Sequence, residues 1–162
     1  RNVGDTQRFG VETRLGWQLV RKLEMVAAHT WSQFKYVAPA AIKGHWLPNS
    51  PEHMLNLGVD YQVVPQLSLG IESELQSHWW VDTDGMASVP GFALWGANAS
   101  YRWHLGETGG ELSLSARNVF GASYMAFTEP DFDNTDDILV DVWNSYQPGP
   151  PQEYYARVTL SR

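Results

Sequence analysis

Arg8-Phe9-Gly10-Val11-Glu12-Thr13-Arg14-Leu15-Gly16-Trp17-Gln18-Leu19 alternates strictly. Five of its six odd positions are apolar (Phe9, Val11, Leu15, Trp17, Leu19), and no even position carries an apolar side chain. A period of two predicts a strand with one apolar and one polar face. Twelve residues exceed the five or six of an ordinary globular strand and fit the length of a strand that crosses a bilayer.

The same pattern recurs along the chain. Leu23, Met25, Ala27, His29 and Trp31 oppose Glu24, Val26, Ala28, Thr30 and Ser32; Leu55, Leu57, Val59 and Tyr61 oppose Asn56, Gly58 and Asp60. Leu67, Leu69, Ile71, Leu75 and Trp79 oppose Ser68, Gly70, Glu72, Glu74 and Gln76. Ala93 to Trp103 alternates against Gly96, Asn98, Ser100 and Arg102, with Leu94 as the exception. Leu112, Leu114 and Ala116, then Tyr154, Ala156, Val158 and Leu160, complete seven predicted strands. The connections alternate as well. Val20–Lys22, Val63–Gln66 and His104–Gly110 are short, whereas Val37–Glu52, Val81–Gly91 and Phe127–Gln152 are long. In up-and-down antiparallel order all short turns fall at one end, as in transmembrane barrels with short periplasmic turns and long extracellular loops.

Composition narrows the alternatives. With 43% hydrophobic and 18% charged residues the chain of 162 residues is not a disordered tail, and a net charge of −7 is the wrong sign for neutralising phosphates, so no nucleic acid is expected. Cysteine is absent, which removes disulfide scaffolds and thiolate chemistry. No apolar run is long enough for a membrane helix, an absence that leaves a β-barrel open. Six of the negative charges lie between Glu129 and Asp141 without a single base, leaving −1 for the rest. On the polar parity Arg8, Glu12, Arg14, Glu72, Glu74, Arg102, Arg117 and Arg157 read as charges lining a wet lumen, with Glu72 and Glu74 expected to face Arg102 or another lumen arginine. On the apolar parity Trp17, Tyr61, Tyr101 and Trp103 gather toward the short turns, and Phe9, Trp31 and Trp79 toward the long loops, as two interfacial girdles.

Four local patterns carry a resemblance. Arg1 to Glu12 (RNVGDTQRFGVE) is similar to the "N-x-G-x-T-x-x-x-G-V-E" start of a late strand in TonB-dependent outer-membrane receptors. Gly44 to His53 (GHWLPNSPEH) resembles that family's "G-x-x-L-P-x-x-P-x-H" loop. Asn118 to Tyr124 (NVFGASY) resembles its "N-L-F-D-x-x-Y" segment, and Pro148 to Tyr155 (PGPPQEYY) the "P-G-x-P-R-x-[FY]-[FY]" start of the last strand. The four occur in the family's order over nearly the whole chain. The resemblance implies that residues 1–162 are the C-terminal seven strands of a larger all-β, antiparallel up-and-down barrel of 22 strands with a plugged lumen, the plug domain and earlier strands lying upstream. It also implies location in the bacterial outer membrane, contact with its lipid and with the barrel-assembly machinery, and coupling to a TonB complex through the absent N-terminal region. Active import of a scarce small-molecule nutrient follows: a ferric siderophore, or else a cobalamin or glycan. Gly121 and Gln152 depart from the family's Asp and Arg. Arg162 stands where an outer-membrane protein usually ends in an aromatic, which suggests truncation.

No catalytic constellation is present. His29, His45, His53, His78 and His104 show no H-x-x-x-H spacing, no G-x-S-x-G elbow exists, and neither an enzyme nor a resident cofactor is expected. Asp131, Asp133, Asp136 and Asp137 offer hard oxygen ligands and are a candidate Ca²⁺ site, though without the glycine and terminal glutamate of an EF-hand. The loop aromatics Trp46, Trp80, Trp143 and Tyr146 are the ligand-contact candidates. The rival reading is a soluble, aromatic-rich β-sandwich that binds carbohydrate, with its apolar faces buried between two sheets.

Overall fold

The computed structural model describes residues 4–130 and 144–161. Its elements are β1 (Asp5–Val20), β2 (Leu23–Ala38), β3 (His53–Val64), β4 (Leu67–Gln76), β5 (Trp79–Trp80), β6 (Ser88–Val89), β7 (Phe92–Leu105), β8 (Thr108–Arg117), β9 (Met125–Pro130), β10 (Asn144–Pro148) and β11 (Glu153–Ser161). Seven of them form one antiparallel sheet in the order β1-β2-β3-β4-β7-β8-β11, so every strand pairs with its neighbour in sequence along the wall. The remaining four are two small hairpins, β5-β6 and β9-β10, set into the second and third long connections. The sequence pattern did not announce them, because strands of two to six residues leave too few positions for a period to show.

The register holds the apolar parity together across the wall. Leu15 stands opposite Ala27, Ala27 opposite Leu57, Leu57 opposite Ser73 and Ser73 opposite Trp95. Tyr101 then meets Leu112, and Leu112 meets Val158. A slip of one residue anywhere would have sent the apolar set to the other face. Short turns are Arg21-Lys22, Pro65-Gln66 and Gly106-Glu107, the last tighter than the expected His104–Gly110 because Gly106 takes a left-handed φ of 62° and lets the strands run closer to the bend. Gly110 serves the same end of the wall, its bare α-carbon leaving room for the Trp103 ring to lie across it.

The apolar side chains of the wall lie open rather than packed into a core. Phe9 is 57% exposed and Ile71 56%, with Val11, Leu15, Trp17, Leu114 and Val158 also open. Among the described residues the buried hydrophobic side chains are Tyr36, Ile42, Leu47, Trp79, Val81 and Val89, at the long-loop end. They form two small clusters, one at the base of each of the first two connections. The two-sheet sandwich is thereby set aside. The apolar face of the wall has no protein partner among the described residues, and it shows the alternation of an antiparallel barrel wall that faces lipid.

One girdle residue is corrected. Trp79 is 2% exposed and packs with Val81, Val89 and Phe92, whose parity belongs to the polar face. Strand β4 stops at Gln76, and the intervening Ser77-His78 releases Trp79 from the parity of Leu75. The other assigned aromatics sit as expected. Phe9 and Trp31 meet edge to face at 5.6 Å toward the long loops, and Tyr101 and Trp103 stack at 6.5 Å near a short turn.

Candidate functional site at the long-loop end

The first long connection folds back along β2. Tyr36 donates its N–H to the His45 carbonyl at 3.0 Å, and Leu47 donates to the Phe34 carbonyl at 3.0 Å, so the Gly44–Leu47 segment runs back beside β2 through an isolated bridge between Lys35 and Trp46. Gly44, at φ 88°, makes the bend. Leu47 turns inward onto Tyr36 and Ile42. Ser32 then fastens the proline pair, its Oγ donating to the Pro51 carbonyl at 2.8 Å, while Trp31 Nε1 donates to Glu52 Oε1 at 3.1 Å. His45 reaches the second connection through Nδ1, 2.8 Å from the Thr83 carbonyl; a carbonyl only accepts, so Nδ1 carries the proton. Asp82 holds the tip of that second connection by accepting from the amides of Met86 and Ala87.

The two motifs of the third connection pack on one another. Asn118, at φ 49°, donates from Nδ2 to the Ala122 carbonyl at 2.8 Å and to the Pro150 carbonyl at 3.3 Å, and its Oδ1 accepts the Ala122 N–H. Gly149 donates to the Tyr124 carbonyl at 2.9 Å and lies flat against the Tyr124 ring, where any β-carbon would enter the ring. The motif positions that depart from the family also meet. Gln152 Nε2 donates to the Val119 carbonyl at 2.8 Å, and its side chain is the nearest group to the space beside Gly121, which sits at φ 66°. A neutral hydrogen bond occupies the place where the family pattern has an acid and a base.

Beneath this roof lies a cleft of about 520 Å³ on the polar face. Its lining includes Arg14, Glu72, Glu74, Arg117, Tyr124 and Glu153. Glycines shape it: Glu72 stands in register between Gly58 and Gly96, and its carboxylate lies over Gly96, where a β-carbon would collide with it. Burial, with Glu74 and Glu153 adding to it, raises the Tyr124 phenol above its usual range. The Tyr124 ring is braced by Phe92 at 4.6 Å, which in turn meets Trp79 at 6.4 Å.

The remaining assigned charges lie along the same face. Arg8 is over the Phe34 ring at 5.7 Å, Glu12 pairs in register with Thr30, and Arg157 pairs with Ser113. Arg102 does not meet Glu72 or Glu74. It stands opposite Glu111, with Nε 3.8 Å from Oε2, near the short turn of β7 and β8, whereas Glu72 and Glu74 stand opposite Gly96 and Leu94 further up the wall.

Of the aromatic candidates, Trp46 pairs with Lys35, whose ammonium lies 4.6 Å from its ring centroid. Lys35 shares the parity of Phe9 and Trp31, so Trp46 stands on the apolar side of the rim. Trp80 meets His78 edge to face at 5.9 Å, and its carbonyl accepts from the Asn49 N–H. Tyr146 is exposed on β10, opposite Thr128 of β9. Trp143, Asp131, Asp133, Asp136 and Asp137 lie outside the described residues. Among the described residues no cluster of three or more His, Asp or Glu is placed to hold a metal ion. Two histidines that sequence spacing did not connect do meet: His29 Nε2 is 3.1 Å from His53 Nδ1 on the apolar face, a pairing set by strand register.

A family model described as "TonB dependent receptor-like, beta-barrel" matches residues 1–119. The chain belongs to the TonB-dependent receptor family. Solved structures with the same fold include the ferric citrate transporter FecA in the unliganded form (22% identity, TM-score 0.79) and BauA, the ferric preacinetobactin receptor from Acinetobacter baumannii (18%, 0.78). Each is covered over 96% of this chain, which spans 24% and 22% of the respective receptor. A third, the copper transporter OprC, matches at 17% identity and a TM-score of 0.68, with 96% of this chain and 24% of that one covered. The chain thus spans about a quarter of the TonB-dependent receptors it resembles. Its seven-stranded sheet corresponds to part of that family's β-barrel domain and carries the alternation of apolar and polar faces such a wall requires.

Proposed function

We propose that residues 1–162 form the C-terminal part of the barrel of an outer-membrane receptor that imports a ferric siderophore, and that the arc contributes wall and ligand-facing loops while performing no chemistry of its own. The observation that carries this reading is the cleft of about 520 Å³ on the polar face, roofed by Asn118, Tyr124, Pro150 and Pro151 of the third connection and lined by charges of both signs. Such a lining suits a ligand or plug surface with both carboxylate and cationic groups. Structures sharing the fold include receptors named for ferric chelates, which makes ferric siderophores the first class to test, ahead of copper, cobalamin and glycans.

In this reading the ligand arrives from outside and is held between the loops and the plug, with Trp80 and Tyr146 as contact residues. Trp46, paired with Lys35 on the lipid side, serves the outer rim instead. Release follows when a TonB complex in the inner membrane pulls on the plug. The acidic segment from Glu129 to Asp141 belongs by sequence to the third long connection, and a Ca²⁺ role for Asp131, Asp133, Asp136 and Asp137 is tested by calcium titration of the intact receptor with all four changed to Asn.

The deciding experiment is uptake of ⁵⁵Fe-labelled ferric chelates (citrate, catecholate and hydroxamate types) by iron-starved cells expressing the intact receptor. Accumulation of one of them that disappears on loss of TonB supports the reading. No receptor-dependent uptake of any of the three, alongside uptake of copper, a cobalamin or a glycan, overturns the ferric assignment.

A further inference from the structure

Asn49 joins all three long connections. Its backbone N–H, in the first connection, donates to the carbonyl of Trp80 in the second at 3.0 Å. Its side chain reaches Thr128 on β9 in the third. Nδ2 donates to the Thr128 carbonyl at 2.5 Å, while Oδ1 accepts from the Thr128 N–H at 3.2 Å and from the Thr128 hydroxyl at 2.5 Å. One primary amide therefore satisfies both backbone groups of Thr128, as an adjoining strand would, and Thr128 is fully buried. The backbone of Asn49 is left-handed, at φ 54°, a conformation that Asn, Asp and Gly adopt at little cost. Among these three only Asn also offers a donor and an acceptor in one fork at neutral pH.

The connections that Asn49 joins carry the contact candidates. Trp80 supplies the carbonyl it bonds, and Tyr146 stands opposite Thr128 in the β9-β10 register. We propose that Asn49 is a positioning residue of the ligand-binding mouth, holding the three connections as one body and fixing Trp80 relative to Tyr146. The purpose of this arrangement rests on the uptake reading; its test does not need a ligand. His45, bonded to Thr83, is a second tie between the first two connections, so losing the Asn49 side chain frees the β9-β10 hairpin first.

The test uses the purified intact receptor with Asn49→Gly and Asn49→Asp. Asn49→Gly keeps the left-handed backbone and removes the amide. Asn49→Asp keeps the acceptor and sets a carboxylate against the Thr128 carbonyl at neutral pH. Two readouts apply: amide hydrogen exchange, and the distance distribution between spin labels at Met86 and Gln147, both exposed and both introduced as Cys; residues 1–162 contain no other, and any cysteine elsewhere in the receptor is first replaced by Ser. Asn49→Gly should speed exchange at Thr128 and Tyr146 by about 10-fold or more and broaden the label distances, leaving wall amides such as Ile71 unchanged. Asn49→Asp should behave likewise near neutral pH and return toward the wild type at about pH 4, where a protonated carboxyl donates as the amide did. Unchanged exchange and distances in Asn49→Gly, equal acceleration of the wall amides, or an Asn49→Asp variant indifferent to pH would each overturn the proposal. Failure of the wild type to take up ferric chelates would instead remove the uptake reading and leave these results standing.

Discussion

Arginine placed at Leu57 and at Asn56 should give opposite outcomes. The two are adjacent on β3 and face opposite sides: Leu57 stands between Ala27 and Ser73 on the apolar parity, Asn56 between Ala28 and Glu74 on the polar one. Leu57 is four positions from His53 on one side and four from Tyr61 on the other. At roughly 3.4 Å per residue and a tilt near 40°, this leaves about 10 Å of membrane in each direction, so Leu57 lies near the midplane. An arginine there costs about 2–4 kcal/mol, or roughly two orders of magnitude in the folding equilibrium at the middle of that range. At Asn56 the same guanidinium enters the wet lumen opposite Glu74, and the expected change is within about 0.5 kcal/mol. Guanidinium titration of the intact receptor folded into phospholipid vesicles measures both. Equal destabilisation by the two variants, or a larger loss at Asn56, would refute the assignment of faces.

Three further outcomes follow from the loops. Gly149→Ala puts a β-carbon into the Tyr124 ring, which Phe92 braces at 4.6 Å, and should cost about 1–3 kcal/mol in a thermal melt; in a Tyr124→Ala background the cost should vanish. Gly121→Asp with Gln152→Arg should restore the family's acid and base, and a double-mutant cycle should give a favourable coupling of about 0.2–1 kcal/mol at this exposed site. The raised Tyr124 phenol predicts a pH dependence. Its folded-state value lies above the unfolded 10.0, so the stabilisation it contributes is complete below pH 10 and is lost as pH rises through the folded value. Tyr124→Phe should flatten that part of an alkaline stability profile.

The wall was legible because a period of two needs only neighbours in sequence to show itself. Every strand of the seven-stranded sheet is announced by its own alternation, and the sorting of long and short connections gave the topology without any contact information. The loop end was not legible in this way. Trp79 has the spacing of a lipid-facing residue, yet the Ser77-His78 break hands it to a separate hairpin, where Val81 and Val89 cover it. Trp46, a ligand-contact candidate by its loop position, pairs in register with Lys35 on the apolar side, a bridge that no local pattern shows. Asn49 stood inside a recognised motif, but its partner Thr128 is 79 residues away, and no local pattern announces such a bond. The Asn118 and Gly149 motifs lay between these cases: their residue types were visible as patterns, while their mutual packing appeared only in three dimensions.

Membership of this family implies a barrel wall with lipid on one side of the sheet and water on the other. The most direct test is a single-cysteine scan from Leu55 to Tyr61 in the intact receptor in vesicles; residues 1–162 contain no cysteine, and any elsewhere in the receptor is first replaced by Ser. Nitroxide labels at Leu55, Leu57, Val59 and Tyr61 should be relaxed by lipid-soluble oxygen, and those at Asn56, Gly58 and Asp60 by a water-soluble nickel chelate, with a clean period of two. Labels that all respond to the aqueous reagent, or that show no alternation, would contradict the account.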